Sequence, residues 1–351
     1  MRSLARTTSR APAHDRGRQH SPLSRRGFTA AALGTSAALA ASALGLPVPA
    51  GATESFAAWL QGLRRDALAA GVRPATLDRA LAGLEPIPRV IELDGRQPEG
   101  RMSFRTYRER VISNERIERG RDLVRRHGAL LARVRDRYGV PPRVVVALWG
   151  VESSYGEFKG RFPVIGSLAT LAHDGRRAAL FRRELISALR ILDAGDVAAA
   201  DMYGSWAGAM GQSQFMPSTY LGYAVDFDGD GRRDIWRSLP DVFGSIANYL
   251  SRSGWDPGYV WGREVRSPRV EPRRLGLEHK APLAEWRALG VRPLDQASLP
   301  AAPIDASLLA TDEGAGPSFL VYDNFRVFMV WNRSTYFALS VGLLSDAIGE
   351  A

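Results

Sequence analysis

A carboxylate on the apolar face of a helix is the feature of this sequence that most narrows its fold and chemistry. Residues 144–158, VVVALWGVESSYGEF, read as an apolar α-helix that ends in a polar Ser-Ser-Tyr-Gly break. Glu152 shares one helix face with Val145, Leu148 and Trp149, because these positions are spaced i, i+3, i+4, i+7. Such a carboxyl is either a satisfied core residue or a proton donor whose pKa is raised by desolvation. The polar break would bring it to a cleft edge, which favours the second alternative and leaves the first open.

Residues 1–52 have the three-part plan of an export signal. Arg25 and Arg26 precede an uncharged stretch of Ala, Leu, Gly and Ser, and Ala50 and Ala52 offer a small-residue cleavage site. The SRRGF motif resembles the twin-arginine export signal. The alternative is a transmembrane anchor, but the stretch is weakly hydrophobic and short for the roughly 20 residues that span a bilayer. We therefore predict a cleaved signal and a soluble, periplasmic mature protein without a transmembrane anchor.

The composition is that of a globular protein with a basic balance of charge. Of the 351 residues, 45% are hydrophobic, and the formal net charge is +10. Nearly all the cations are Arg, with Lys159 and Lys280 as the only lysines, and they form no long basic run. Together with the predicted export, this argues against nucleic acid as a partner and favours general attraction to an anionic polymer. The chain contains no cysteine, which excludes disulfides, thiolate metal sites and a Cys nucleophile.

The pattern predicts an α+β protein that is mostly α, with four regions after the signal. Residues 53–135 read as two short amphipathic helices followed by one or two long ones. Residues 136–260 contain the helix of Glu152 and further helices. Residues 261–320 have short alternating runs separated by Pro and Gly, which indicates a small β-containing module. The run SFLVYDNFRVFMVW is interpreted as strand-like in the same way, and residues 321–351 end the chain with a helix.

A Gly-rich segment, YGSWAGAMGQSQFMPSTY, is the second candidate site. Its glycines allow close backbone approach, while Ser205, Gln212, Ser213 and Gln214 supply uncharged hydrogen-bonding groups. Neutral amides and hydroxyls beside aromatic rings suit the recognition of sugars and acetamido groups. Tight packing through small residues explains the segment equally well.

The third candidate is an acidic loop with the sequence DFDGDGRRDIW. Asp226, Asp228 and Asp230 at alternate positions, followed by Gly231, fit the first half of an EF-hand calcium loop. The second half does not fit, because Arg237 stands where a bidentate Glu is expected. The alternative is an Asp-Gly turn with solvated acids. A metal here would have a structural role, because carboxylates packed together repel each other unless a cation is present.

Five motifs follow one another in the order and approximate spacing typical of the lytic murein transglycosylase B family. They are GVESSYG, GSWAGAMGQSQFMPSTY, AVDFDGDGRRDIW, IANYLSRSGW and NRSTYFALSVG. The chain resembles this family over essentially its whole mature length. The resemblance implies a lysozyme-like catalytic core in residues 136–260, an EF-hand-like loop at 226–241, and an enzyme that cleaves bacterial peptidoglycan.

The resemblance also implies roles for individual residues. Glu152 matches the family's single catalytic acid/base, and Tyr107 matches a cleft tyrosine upstream of it. Ser205 and Gln214 match residues that contact the N-acetyl group and the sugar, and Asn332 matches a C-terminal cleft residue. The substrate-binding residues expected on this basis are Tyr107, Tyr155, Ser205, Gln214, Asn332 and Tyr336.

Two positions depart from the family pattern. The family's C-terminal cleft tyrosine falls on Phe337, so only the adjacent Tyr336 could supply its hydroxyl. In the acidic loop the resemblance implies a lengthened loop that is closed by a later aspartate, with Asp234 as an alternative ligand. The calcium ligands expected are therefore Asp226, Asp228, Asp230, the backbone carbonyl of Arg232, and Asp241. No organic cofactor is expected.

The resemblance implies a mechanism with one carboxylate. Glu152 would protonate the β-1,4 bond between N-acetylmuramic acid and N-acetylglucosamine, and then take the proton of the C6 hydroxyl as a 1,6-anhydro ring closes. A hydrolase would need a second carboxylate, and Glu157 is the nearest one in the motif. Two alternatives stay open: a hydrolytic muramidase, and a non-catalytic murein-binding scaffold. The expected partners are peptidoglycan glycan strands and, as further candidates, other cell-wall enzymes.

Overall fold

The computed structural model describes residues 54–96, 102–174, 177–268, 270–294 and 298–349, so the predicted signal peptide lies outside the described residues. The α-helices are α1 Phe56–Ala69, α2 Pro74–Ala80, α3 Pro88–Gly95, α4 Phe104–Val111, α5 Asn114–Arg126, α6 Gly128–Tyr138, α7 Pro142–Ser153, α8 Val164–His173, α9 Ala178–Ala194, α10 Pro217–Tyr223, α11 Leu239–Arg252, α12 Leu283–Ala288, α13 Asp323–Trp331 and α14 Thr335–Gly349. The strands are β1 Phe162–Pro163, β2 Tyr203–Gly204, β3 Gly262–Arg266, β4 Ala281–Pro282, β5 Arg292–Pro293, β6 Asp305–Ala310 and β7 Ser318–Val321.

The N-terminal region is helical, but its charged stretch forms three helices, α4 to α6, where one or two long ones are predicted. Ser113 interrupts the stretch, because its side chain accepts a hydrogen bond from the Arg116 amide and caps α5. His127 separates α5 from α6. Gly139 ends α6 in the left-handed conformation, with φ at 73°. Local capping thus divides a sequence whose hydrophobic periodicity is continuous.

Helix α7, which carries Glu152, lies in the middle of the main core. Its residues Val144–Gly150 are buried, and it packs against α5, α6, α11 and α14. Gly150 is required for this packing, because a Cβ at that position would lie 2.5 Å from a ring carbon of Tyr155. The helix is therefore enclosed along most of its length, and its C-terminal turn is where it reaches the surface.

The polar break after α7 turns the chain sharply. Ser154, Tyr155 and Gly156 have φ values of 49°, 60° and 83°, a left-handed run in which two residues are not glycine. The Ser153 hydroxyl donates to the Trp149 carbonyl at 3.1 Å and accepts from the Gly156 amide at 3.1 Å. The helix consequently ends one residue beyond Glu152.

The Gly-rich segment is not a plain helix, as predicted. Strands β1 and β2 pair antiparallel with Phe162 opposite Gly204, and turns lead from β2 to α10. Gly160 has φ at 87°, and a Cβ there would lie 1.9 Å from the Gly204 carbonyl. Only glycine allows the two backbones to approach this closely.

A five-stranded antiparallel sheet, in the order β4-β6-β7-β3-β5, occupies the part of the chain for which short strands are predicted. It has its own hydrophobic cluster around Trp286, Leu308 and Leu320. We call residues 262–321 the β-module. Residues 311–317 form the turn that connects β6 and β7.

The run SFLVYDNFRVFMVW is a strand only in its first part. Ser318–Val321 is β7, whereas Asp323–Trp331 is α13, so the strand-like interpretation of the second part is wrong. Phe325 and Phe328 of α13 are buried in the main core. A short apolar run fits a buried helix as well as a strand, and the contact with the main core favours the helix.

The fold is α+β and mostly α, as predicted. Contacts group residues Thr53–Ala351 into one compact unit, and the four regions proposed within it stay a prediction. Among the described residues, no helix combines the length and apolar character needed to cross a membrane.

Candidate active site

Glu152 lies in the last turn of α7 and is partly buried. Its Oε1 accepts a hydrogen bond from Nε1 of Trp331 at 2.6 Å. Trp331 is the last residue of α13, so two distant helices meet at this carboxyl. Because an indole nitrogen can only donate, Oε1 is held as an acceptor and the carboxyl has a defined orientation.

Aromatic rings hold the Trp331 indole in place. Its ring centroid lies 4.7 Å from that of Tyr249 and 5.3 Å from that of Phe215. The Tyr249 hydroxyl donates to the Val330 carbonyl at 3.0 Å, which fixes the end of α13. Trp331 is not among the predicted site residues, and its position directly before Asn332 is the one signal in the sequence that points to it.

The surroundings of Glu152 set its protonation. Desolvation raises the pKa of Glu152 from its usual 4.5 to about 7, and the hydrogen bond from Trp331 opposes part of that rise. Both the protonated and the ionised form are therefore populated near neutral pH. A carboxyl in this state can donate a proton and take one back without a large free-energy cost.

Tyr107 of α4 lies near Glu152 and forms an aromatic pair with Tyr336 of α14. Burial, and then the charge of Glu152, raises the pKa of Tyr107. The rings of Tyr107 and Tyr336 are 5.9 Å apart, and the Tyr336 hydroxyl donates to Oδ1 of Asp312 at 2.7 Å. Phe337, the position that aligns with the family's tyrosine, is buried in the core. Tyr336 is therefore the residue of this pair that accompanies Tyr107.

Ser205 and Gln214 lie in the turns of the Gly-rich segment, and both are partly exposed. Oγ of Ser205 accepts from the Ala209 amide at 3.0 Å, so its O–H remains able to donate to a ligand. Gln214 has a left-handed backbone, with φ at 49°, and its Nε2 donates to the Gly211 carbonyl at 2.7 Å. Phe215 follows it and contacts Trp331. The segment thus adjoins the partner of Glu152.

Gln212 and Ser213 have a different place from their neighbours. Gln212 is buried, and its Oε1 accepts from Trp149 Nε1 at 2.9 Å while its Nε2 donates to the Trp236 carbonyl at 3.0 Å. Ser213 is fully buried. Of the four polar groups that the sequence offers for sugar recognition, these two belong to the interior.

Tyr155 is not in the position expected for a substrate-binding residue. It is 5% exposed, packs edge-on against Trp149, and donates its hydroxyl to the Arg116 carbonyl at 2.7 Å. The left-handed turn after α7 directs its ring inward, between α5 and α7. We correct the expectation accordingly: Tyr155 joins two helices in the core.

Asn332 is exposed at the junction of α13 and α14. Its Oδ1 accepts from the Ser334 amide at 3.0 Å, which stabilises the turn between the two helices. It directly follows Trp331, so it lies at the same end of α13 as the group that binds Glu152.

Glu157, the nearest carboxylate in the sequence, is an exposed residue, with 51% of its side chain accessible, and it forms an ion pair with Arg119. Among the described residues, no neighbouring carboxylate contributes to the pKa shift of Glu152. The arrangement is that of one desolvated acid with polar and aromatic neighbours.

The acidic loop brings three of its predicted ligands together. Carboxylate oxygens of Asp226, Asp228 and Asp230 all lie within 4.8 Å of one another. Backbone amides turn toward Asp226, with Gly231 donating at 2.8 Å and Gly229 at 2.6 Å. The Gly231 amide contributes most to holding the pKa of Asp226 below its usual value. This cluster of oxygen donors suits a hard cation such as Ca²⁺.

The two remaining predicted ligands are placed differently. Asp241 is fully buried in the first turn of α11, where it accepts the amides of Phe227 and Asp234, both at 2.7 Å, and it is not part of the three-carboxylate cluster. Asp241 thus lies beneath the loop, and each of its oxygens keeps a further lone pair for a cation. Arg232 is exposed, and its amide donates to Asp230 at 2.8 Å. Asp234 accepts from the Trp236 and Arg237 amides.

A comparison with known families decides what kind of protein carries this site. The model of the transglycosylase SLT domain matches residues 55–346. The chain belongs to the SLT transglycosylase family. The match spans the helix of Glu152, the Gly-rich segment, the acidic loop and the C-terminal helices.

Individual transglycosylases are similar over most of their length. Membrane-bound lytic murein transglycosylase B of Escherichia coli K12 is 33% identical over 254 residues, which are 70% of this chain and 67% of that protein. SltB3 from Pseudomonas aeruginosa, in complex with NAG-anhNAM-pentapeptide, is 45% identical with a TM-score of 0.81, covering 85% of this chain and 80% of that one. The E. coli lytic transglycosylase SLT35 in complex with calcium is 30% identical with a TM-score of 0.70, covering 82% and 91%.

These similarities confirm three expectations drawn from the sequence motifs. The family is confirmed, the enzyme class is that of lytic murein transglycosylases, which are lyases acting on peptidoglycan, and the fold is the lysozyme-like α+β fold of these transglycosylases.

Proposed function

We propose that this transglycosylase cleaves the β-1,4 bond between N-acetylmuramic acid and N-acetylglucosamine with Glu152 as its only acid/base, and releases 1,6-anhydromuramic ends. The observation that carries the proposal is the desolvated carboxyl itself, whose pKa of about 7 suits both halves of a proton relay. The related SltB3 was solved with a NAG-anhNAM-pentapeptide, which is a product of this type.

In the first step the protonated carboxyl of Glu152 donates its proton to the glycosidic oxygen, and the bond to the muramic C1 breaks. Trp331 donates to Oε1, so the transferable proton resides on Oε2. The leaving N-acetylglucosamine takes this proton as its new hydroxyl hydrogen. Positive charge develops at C1 of the muramic residue, where the sugar's own acetamido oxygen stabilises it.

In the second step Glu152, now ionised, takes the proton of the C6 hydroxyl of the same muramic residue. The C6 oxygen bonds to C1, the 1,6-anhydro ring closes, and Glu152 returns to its protonated form. No water is consumed, and the acid regenerates itself. A pKa near neutrality keeps the proton affinity of the carboxyl close to what both transfers need.

The polar groups around Glu152 support a sugar-binding role. Ser205 and Gln214 offer an O–H and an amide at the surface of the Gly-rich segment, consistent with contacts to the acetamido group. Tyr107 and Tyr336 form an aromatic pair beside the acid, a surface on which a sugar ring can stack. Asn332 supplies an exposed amide at the end of α13.

The acidic loop is proposed to bind Ca²⁺ through Asp226, Asp228, Asp230 and the Arg232 carbonyl. The three convergent carboxylates support this role, and the related SLT35 was solved in complex with calcium. The ion would neutralise the repulsion between the carboxylates and stiffen the loop. Its role is structural, and the proton relay of Glu152 does not involve it.

The export signal predicted in residues 1–52 leads us to propose a periplasmic location, where the glycan strands are. Residues 1–52 carry seven Arg and one Asp, so residues 53–351 keep +4 of the chain's net charge of +10, which still favours attraction to an anionic polymer of this kind. Other cell-wall enzymes are candidate partners at the same polymer.

A hydrolytic muramidase is the second candidate, and the environment of Glu157 argues against it. A second carboxylate would have to activate water on the opposite face of the sugar. Glu157 is exposed and paired with Arg119, so it lacks the environment of a catalytic group.

The test is mass spectrometry of the muropeptides that the mature protein releases from purified peptidoglycan. Fragments that end in 1,6-anhydromuramic acid, one water lighter than reducing ends, support the proposal if Glu152→Gln does not release them. Reducing ends would identify a muramidase. Binding to peptidoglycan without release of any fragment would identify a scaffold.

A further inference from the structure

The turn between β6 and β7 of the β-module is strained at its tip. Asp312 and Glu313 have φ values of 52° and 58°, in the left-handed region that non-glycine residues rarely adopt. The turn is held by its own hydrogen bonds, with the Gly314 amide donating to the Thr311 carbonyl at 2.9 Å and the Thr311 hydroxyl donating to Pro317 at 2.9 Å. Such strain persists where the surrounding structure demands a particular side-chain direction.

The left-handed backbone of this turn directs the Asp312 side chain so that its carboxylate contacts two helices. Its Oδ1 accepts from the Phe104 amide at 2.8 Å, in the first turn of α4, and from the Tyr336 hydroxyl at 2.7 Å, in the first turn of α14. The Phe104 amide is one of the α4 donors that lack a partner within the helix. One oxygen atom of the β-module therefore holds the start of both helices.

Packing reinforces this junction. The Phe104 ring is fully buried, and its centroid lies 5.1 Å from that of Tyr336 and 5.6 Å from that of Phe319 in β7. One turn further along α4, Arg108 forms an ion pair with Glu264 of β3 at 3.4 Å. The helix that carries Tyr107 is thus fixed to the β-module at both ends of its first turn.

We propose that Asp312 is a positioning residue, which sets the orientation of Tyr336 and the spacing of the Tyr107–Tyr336 pair beside Glu152. The proposal rests on the function proposed above and deepens it by connecting the β-module to the cleft. Tyr107 lies on α4 and close enough to Glu152 to interact with its charge. Any shift of α4 therefore changes the immediate surroundings of the acid.

The hydrogen bond also determines what Tyr336 can recognise. Its O–H is donated to Asp312, so the phenolic oxygen presents only lone pairs to a ligand. Tyr336 is partly exposed. A ligand group that forms a hydrogen bond with the Tyr336 oxygen must therefore be a donor, such as a sugar hydroxyl or an acetamido N–H.

The test compares three single variants in steady-state release of anhydromuramic fragments. Asp312→Gly removes the carboxylate without adding backbone strain, because glycine adopts positive φ freely. Asp312→Asn retains an acceptor oxygen. Glu313→Gly controls for the backbone of the turn, since it makes the same change at the neighbouring left-handed residue, whose charge also acts on Tyr336. We expect kcat/KM to fall roughly tenfold or more in Asp312→Gly, and to stay within about threefold of wild type in the other two.

A double-mutant cycle with Tyr336→Phe separates positioning from general stability. If Asp312 acts through Tyr336, then Tyr336→Phe lowers kcat/KM much less in the Asp312→Gly background than in wild type. Melting temperatures are measured in parallel, and activity is assayed well below all of them. Fully additive losses, or equal losses in Asp312→Gly and Glu313→Gly, would overturn the proposal.

The outcome is distinguishable from a failure of the proposed function. If the wild-type protein releases no anhydromuramic fragments, the proposed function fails, and the positioning role that rests on it fails as well. If the wild type releases them and Asp312→Gly does so equally fast, the proposed function stands and the positioning role of Asp312 is wrong.

Discussion

Glu152 and Asp226 carry the same carboxyl group in opposite environments. Around Glu152, apolar and aromatic neighbours displace water and raise the pKa to about 7. Around Asp226, in the exposed loop, backbone amides led by that of Gly231 hold the pKa below its usual value. The chemistry of a carboxylate therefore follows from its solvation and from the hydrogen-bond donors around it. A desolvated acid exchanges protons, and an exposed one surrounded by N–H groups stays ionised and suits a cation.

The largest expected effect is the loss of turnover in Glu152→Gln. An amide has the shape of the carboxyl and can accept the Trp331 N–H, but it cannot donate or take up a proton in either step. We expect kcat to fall about 10³-fold or more. Glu157→Gln is the control, because this exposed carboxylate should not take part. A Glu152→Gln enzyme that retains even a tenth of its turnover would contradict the assignment of the acid.

The stability of Glu152→Gln should depend on pH differently from that of the wild type. The folded pKa of Glu152 is raised, so the native state holds a proton that the unfolded chain loses above about pH 4.5. The stability contribution is present below that pH and is lost as pH rises through about 7. Glu152→Gln should therefore match wild type near pH 4 and be more stable at pH 8, by about 3 kcal/mol. Chemical denaturation at both pH values measures the difference, and a destabilised variant at pH 8 would instead indicate a structural acid.

The next effect concerns the donor to Glu152. Trp331→Phe removes the N–H that opposes the raised pKa, so the pKa of Glu152 should rise further. We expect kcat/KM to drop roughly tenfold at neutral pH, and its decline on the alkaline side to move to higher pH. Trp255→Phe is the matched control, because it makes the same change at an indole that packs against Phe328 of α13 and whose N–H has no partner among the described residues. An unchanged pH profile in Trp331→Phe would show that the indole only fills space.

The smallest effect on activity is expected at the acidic loop. Calcium at about 100 times its dissociation constant should add roughly 2.7 kcal/mol to the free energy of unfolding and raise the melting temperature by several degrees. Asp228→Asn should weaken this shift, whereas Asp201→Asn, an exposed acid that pairs with Arg237, should not. Differential scanning calorimetry with calcium and with EDTA measures both. Equal shifts in the two variants would mean that calcium binds elsewhere.

Much of the site could be predicted from local sequence, because its members lie in contiguous motifs. The helix of Glu152, the irregular Gly-rich segment and the three aspartates of the loop all depend on short-range spacing. Contacts between distant segments could not be predicted in this way. Trp331 and Glu152 are joined only by tertiary packing, and the helix that carries Trp331 has an apolar pattern that also fits a strand.

Polar residues were the other source of error, because a side chain's composition does not reveal which way it points. Tyr155 and Gln212 both belong to motifs that suggest ligand contacts, yet both are buried and hydrogen-bonded within the protein. The left-handed backbone at Tyr155 directs its ring into the core. Asp241 is buried because helix α11 begins just before it and the loop amides bind both of its oxygens.

The buried amide of Gln212 has a consequence for how the protein opens. The side chain of Gln212 joins Trp149, one turn before Glu152, to the carbonyl of Trp236 at the end of the acidic loop. The backbone amide of Gln212 also donates to the Ile235 carbonyl at 2.9 Å. Loosening either side would leave a buried polar group without a partner. We therefore expect the C-terminal turn of α7 and residues Ile235 and Trp236 of the loop to unfold as one cooperative unit. A cation that orders the acidic loop should then also make the turn that carries Glu152 more rigid.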